Sequence, residues 1–90
     1  MTNVRMFKYP LKIEDFQVIA VPKGALLRCV QTQGETPCIW AEVDPSAPKV
    51  TREIRTYGTG HPMESDWPFY LGTYQVNDGA RVFHVYTKLE

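Results

Sequence analysis

Ala25-Leu26-Leu27-Arg28-Cys29-Val30-Gln31-Thr32-Gln33-Gly34-Glu35-Thr36-Pro37-Cys38-Ile39-Trp40-Ala41-Glu42-Val43 reads as two strands joined by a tight turn. Gly34-Glu35 puts glycine at the first central position, which suits a two-residue type II′ hairpin turn. That register sets Val30 opposite Ile39, Arg28 opposite Ala41 and Leu26 opposite Val43. Leu27, Cys29, Gln31, Cys38, Trp40 and Glu42 then fall on the other face. Cys29 faces Trp40, and Cys38 lies diagonal to Cys29, a separation too long for a disulfide in most sheets. With no C-x-x-C pair and no zinc-ligand spacing, the two thiols are expected to be free and packed as small hydrophobes, and no metal site is expected.

The same grammar runs outward in both directions. Short β-branched and aromatic runs alternate with Pro, Gly, Asn and Asp, and helical periodicity is nearly absent, which is the pattern of an antiparallel sandwich or barrel. Strands are expected near Arg5–Lys12, Gln17–Val21, Ala25–Gln33, Pro37–Val43, Lys49–Thr56, Phe69–Val76 and Ala80–Lys88. The expectation is one all-β domain over residues 1–90 with about seven strands. An ordered loop or a single helical turn is expected near 61–68, where Trp67 would pack down. Pro10, lacking an N–H, marks an edge strand or a bulge. Asn77-Asp78-Gly79 is a turn for which two- and three-residue loops both fit. In the last strand Val82, His84 and Tyr86 share one face, and Phe83 and Val85 the other. A strand apolar on both sides belongs in the centre of a sheet or between packed layers.

Composition narrows the function. Ten basic and ten acidic residues cancel, so the counterion release that drives general nucleic-acid binding has no surplus charge behind it. No run reaches the ~18 apolar residues of a membrane span. The first residues carry no signal-peptide apolar region, so a cytoplasmic address is expected. In a short neutral chain, the aromatics Trp40, Trp67, Tyr70 and Tyr74 are read as core or subunit contacts rather than a base-stacking platform, and a homo-oligomer is expected.

Tyr57-Gly58-Thr59-Gly60-His61-Pro62 compresses two glycines, a hydroxyl, an imidazole and an aromatic ring into six residues. Gly58-Thr59-Gly60 has the makings of a backbone anion nest, and equally of a plain turn. It is neither a phosphate-binding loop with its lysine nor a dinucleotide fingerprint. Arg55 and Tyr57 share a strand face, whereas Arg52 points the other way. The candidate ligand-binding set is therefore Arg55, Tyr57, Gly58, Thr59, Gly60 and His61, for an anionic partner. His84, inside an apolar strand, reads as a satisfied residue. No catalytic set, cofactor motif or activated nucleophile is recognisable. A non-enzymatic binding protein is the leading expectation. A virion structural protein and a small enzyme using His61, with Asp66, Glu64 or Glu53 beside it, are the alternatives.

The chain also resembles a family of short uncharacterised bacteriophage and prophage proteins. The matching pieces are Tyr9-Pro10-Leu11, Val21-Pro22-Lys23-Gly24-Ala25, Cys38-Ile39-Trp40-Ala41, Val43-Asp44-Pro45, the Tyr57–Pro62 run and Val82-Phe83-His84-Val85. The resemblance implies a phage context in the host cytoplasm. A host protein or a small anionic ligand such as a nucleotide signal would be the partner, in host interaction or counter-defence. It transfers no catalytic residues.

Overall fold

A computed structural model describes residues 3–63 and 67–88. Seven strands follow one another: β1 (Arg5–Pro10), β2 (Phe16–Pro22), β3 (Leu26–Gln33), β4 (Thr36–Val43), β5 (Lys49–Gly58), β6 (Phe69–Val76) and β7 (Arg81–Thr87). They form two antiparallel sheets, β1-β4-β3 and β2-β5-β7-β6, packed as a sandwich. Between them lies a core that includes Val21, Leu27, Val30, Ile39, Ile54 and Val85. Of the loop or helical turn expected near 61–68, residues 61–63 and 67–68 are not helical, and 64–66 lie outside the described residues. No helix among the described residues is long and apolar enough to cross a membrane.

Pro10 sits on β1, an edge strand, where its missing N–H costs no ladder bond. β7 is central, with Val85 and Thr87 buried on the inner face. The Thr87 hydroxyl donates to Glu53 O at 2.9 Å. Trp67 packs down edge-on against Phe16 at 6.2 Å, and Lys88 Nζ lies 4.8 Å from its ring centre.

The β3–β4 hairpin departs from the expected register beyond Cys29. Cys29 pairs with Trp40 and Val30 with Ile39, as the turn dictates. Then a bulge sets Leu27 opposite Ala41 and Leu26 opposite Glu42. The reason is burial. Leu27 and Val30 are three apart, so strict alternation would send one to each face. The extra residue, Arg28, lets both enter the core, where both are buried. Arg28 grips Glu42 through Nε and Nη2, each 3.0 Å from a carboxylate oxygen. This hydrogen-bonded guanidinium holds the Glu42 carboxyl below its usual pKa. Cys29 and Cys38 are both free, diagonal across the outer face.

A second bulge, at Leu71 between Tyr70 and Gly72, does the same for β6. It leaves Tyr70 outside beside Tyr86 and brings Tyr74 inside beside Phe83. At this point β6 meets β3 across the sandwich. Gly72 has φ of +149°, and a Cβ there would lie 2.9 Å from Val30 Cγ1 and 3.3 Å from Val30 O. The turns at the end of the two hairpins are also tied. Glu35 Oε1 accepts from Asn77 N at 2.7 Å. The β6–β7 turn is longer than expected: the ladder ends at Val76↔Arg81, leaving four residues. Asn77, Asp78 and Gly79 all have positive φ, and Ala80 N donates to Asn77 O. The central Asp-Gly pair thus carries the φ signs of a type I′ turn.

Gly72→Ala should lower stability by about 1–3 kcal/mol, the usual range for overpacking a dense interior. Adding Val30→Ala should recover only part of the loss, because backbone atoms of Val30 also stand in the way. Urea unfolding of the single and double variants measures both.

Candidate functional site

β5 pairs with β2 through its first half and with β7 through its second, up to Gly58↔Phe83. The chain then turns away at the end of the sandwich. His61 N donates to Gly58 O at 3.1 Å, and Gly60 takes φ of +85°. The positive φ at the third position of this turn is what glycine permits cheaply. Thr59 N donates to Val82 O at 3.3 Å, which fastens the turn to β7.

These bonds change the reading of the glycine run. The amides of Thr59 and His61 are both taken within the fold, and so is the Thr59 hydroxyl. Two amides of the run are therefore spent on the turn and on β7 rather than held open for an anion. Tyr57 offers little surface of its own. It is 3% exposed and lies under Arg55, whose Cζ is 5.0 Å from its ring centre, and edge-on to Tyr86 at 5.9 Å.

Thr59 instead ends a polar chain on the outer face of the four-stranded sheet. His84 Nε2 is 2.7 Å from Thr59 Oγ1, and His84 Nδ1 is 2.8 Å from Thr73 Oγ1. The Tyr70 hydroxyl joins Thr73 in a short hydrogen bond. One direction satisfies every group of a neutral imidazole. Tyr70 donates to Thr73, Thr73 donates to Nδ1, Nε2–H donates to Thr59, and Thr59 donates to Val82 O at 3.5 Å. His84 is thus held at both nitrogens.

His61 has a different setting. It is exposed, and its ring lies over Gly58, where a Cβ would come within 2.9 Å of Cε1 and Nδ1. It stands between two clefts. One, of about 140 Å³, brings His61 together with Arg55, Tyr57 and Pro62, and also with the acidic Asp15. The other, of about 300 Å³, is lined by Gly58, Thr59 and His61 on one side and by Arg81, Val82 and Phe83 on the other. No carboxylate lines it among the described residues, although Arg81 and Phe83 also border a cavity of about 80 Å³ with Glu14 and Asp15. Arg81 Cζ lies 5.2 Å from the Phe83 ring centre, which holds the guanidinium at the cleft wall.

Arg81 is the residue that the sequence pattern did not bring to this site. Its position right after Asn77-Asp78-Gly79 was visible. The pairing of β5 with β7, which sets Gly58 beside Phe83, was not. Arg55 and His61 do share a cleft. Glu53 lies opposite Val18 on β5, and Glu64 and Asp66 lie outside the described residues. The aromatics do not form one platform: Tyr74 is in the core, Trp40 on the outer face of the smaller sheet, and Tyr70 on that of the larger.

A family model described as Domain of unknown function (DUF7352) matches residues 2–90. The chain belongs to that family. No curated protein and no solved structure matches it.

Because only His61 side-chain atoms crowd the Gly58 Cα, Gly58→Ala should turn that ring aside. Stability should stay within about 0.5 kcal/mol, as for surface substitutions that touch no special feature. The His61 ring resonances should shift while those of His84 stay, which a two-dimensional NMR spectrum reads directly.

Proposed function

We propose that this domain acts by binding rather than catalysis. Its main contact would be the cleft between the Gly58–His61 turn and the start of β7, and its ligand anionic. The observation that carries the reading is the convergence of Arg81 and His61 on a cleft of about 300 Å³ that no described carboxylate lines. A guanidinium offers a planar fork to a phosphate or carboxylate, and an exposed imidazole adds a donor. Arg55 lines the adjoining smaller cleft on the other side of His61, where Asp15 also lies. The non-enzymatic reading is supported by the two histidines. His84 is held at both nitrogens by hydroxyls, and among the described residues no side chain hydrogen-bonds the His61 ring to orient it as a general base.

The resemblance to phage and prophage proteins supports a host-cytoplasmic setting. The ligand would then be a nucleotide-like anion or an acidic patch on a host protein. Inorganic phosphate and nucleoside monophosphates are the probes. Titration calorimetry should detect binding that weakens with added salt, because charge attraction at an exposed cleft is screened. Arg81→Ala should weaken it about tenfold, the worth of one charge-assisted hydrogen bond. Gly58→Ala and His61→Ala should weaken it by similar factors, since both remove the same ring from the cleft. Unchanged affinity in Arg81→Ala would sink this reading. Nucleotide turnover lost in His61→Ala would move the protein to the enzyme class.

The outer face of the larger sheet supports self-association. Phe16, Val18 and Tyr70 are exposed there on the two edge strands. Light scattering coupled to size exclusion should give a dimer or larger species that Val18→Glu reduces to a monomer. A strict monomer at high concentration refutes this part.

A further inference from the structure

Arg52 is the unusual charge of the molecule. It lies on β5 opposite Ile19, and alternation along the strand puts it with Ile54 and Thr56 on the inner face. It is 8% exposed. One nitrogen, Nη1, donates to Ala25 O at 3.3 Å. The other two, Nε and Nη2, are buried and have no hydrogen-bond partner among the described residues. No described carboxylate forms an ion pair with it. A buried guanidinium with two donors unmet is strongly disfavoured unless something else meets them.

The two unmet atoms point to what that is. Nε–H and Nη2–H form the side-on fork of a guanidinium and match the two oxygens of a carboxylate. The same molecule displays this match: Arg28 holds Glu42 through these two atoms, at 3.0 Å each. Arg52 also forms part of the wall of a cavity of about 330 Å³, together with Ala25, Leu26, Val50 and the Lys23-Gly24 turn. Leu26, Val50 and Ala25 make an apolar lining, and Lys23 is exposed and adds a second positive charge. Arg52 and Gly58 are six residues apart on β5, about 20 Å at ~3.4 Å per residue. This cavity is therefore separate from the Arg81–His61 cleft.

We propose that this cavity binds a small aliphatic carboxylate, with the carboxylate on the Arg52 fork and the hydrocarbon tail against Leu26 and Val50. Nε and Nη2 are shielded from solvent, so binding requires the guanidinium to turn its fork toward the cavity whose wall it already forms. The apolar lining selects the tail, and Arg52 selects the head.

Thermal unfolding of the full chain in acetate, butanoate and hexanoate tests the idea, together with the ¹⁵N-edited NMR signal of the Arg52 Nε–H. Melting temperature should rise with concentration, as for any ligand of the native state alone, and more steeply as the tail lengthens. The Nε–H resonance should move in step. Arg52→Met should fold, melt at or above the wild-type temperature without ligand because an uncompensated buried charge is gone, and lose the carboxylate response. Arg52→Lys keeps the charge without the fork and should bind at least about fivefold more weakly. Sodium chloride at equal ionic strength controls for salt. An equal response in wild type and Arg52→Met, an unmoved Nε–H signal, or no dependence on tail length overturns the proposal.

Discussion

Gly72 lies so near Val30 of the opposite sheet that there is no room for a Cβ between them, and the architecture is arranged around that approach. Any side chain at position 72 would meet Val30 at less than contact distance. The two bulges serve the same seam. Arg28 is looped out so that Leu27 and Val30 both reach the interior, and Leu71 is inserted so that Tyr70 and Tyr74 part to opposite faces. The Glu35–Asn77 hydrogen bond locks the far end. With this side closed, β4, β5 and β7 become the central strands and carry much of the core. β5 is left to span from β2 to β7, and that long span is what presents Arg52 inward near its start and the Gly58–His61 turn at its end.

Much of this was legible in the residues, because side-chain alternation and turn chemistry are local. Gly34-Glu35 fixed the first pairs of its hairpin, Pro10 marked an edge, and the two-sided strand Val82–Tyr86 had to be central. What escaped was non-local. The bulge at Arg28 follows from what the opposite sheet demands of Leu27, and no turn residue announces it. The partner of Gly58 was equally hidden, since β5 finds β7 across more than twenty residues. For the candidate site the consequence was specific. His61 stands out in the sequence by its neighbours, whereas Arg81 does not, because only the β5–β7 pairing brings it to the site. The glycines offer conformational freedom, and in the fold Gly60 spends it on a turn that ties the amides of Thr59 and His61.

Three arginines show how differently one side chain is treated in ninety residues. Arg28 is on the surface with its fork filled by Glu42. Arg81 is exposed and rests on Phe83. Arg52 is enclosed with its fork empty among the described residues. A neutral overall charge hides this inequality, since electrostatics in a small domain is decided by where each charge lies rather than by the total.

The pairing of β2 with β5 also has a kinetic meaning. Between them in sequence lies the whole β3–β4 hairpin, which belongs to the other sheet. A local hairpin closes in microseconds, but a strand that must wait for a distant partner is slow, because the loop entropy is lost before contacts repay it. During that wait β2 offers Phe16, Val18 and Ile19 on an unpaired strand, a template for the wrong neighbour. The order of strands in the chain thus leaves β2 open for longer than either strand of the β3–β4 hairpin.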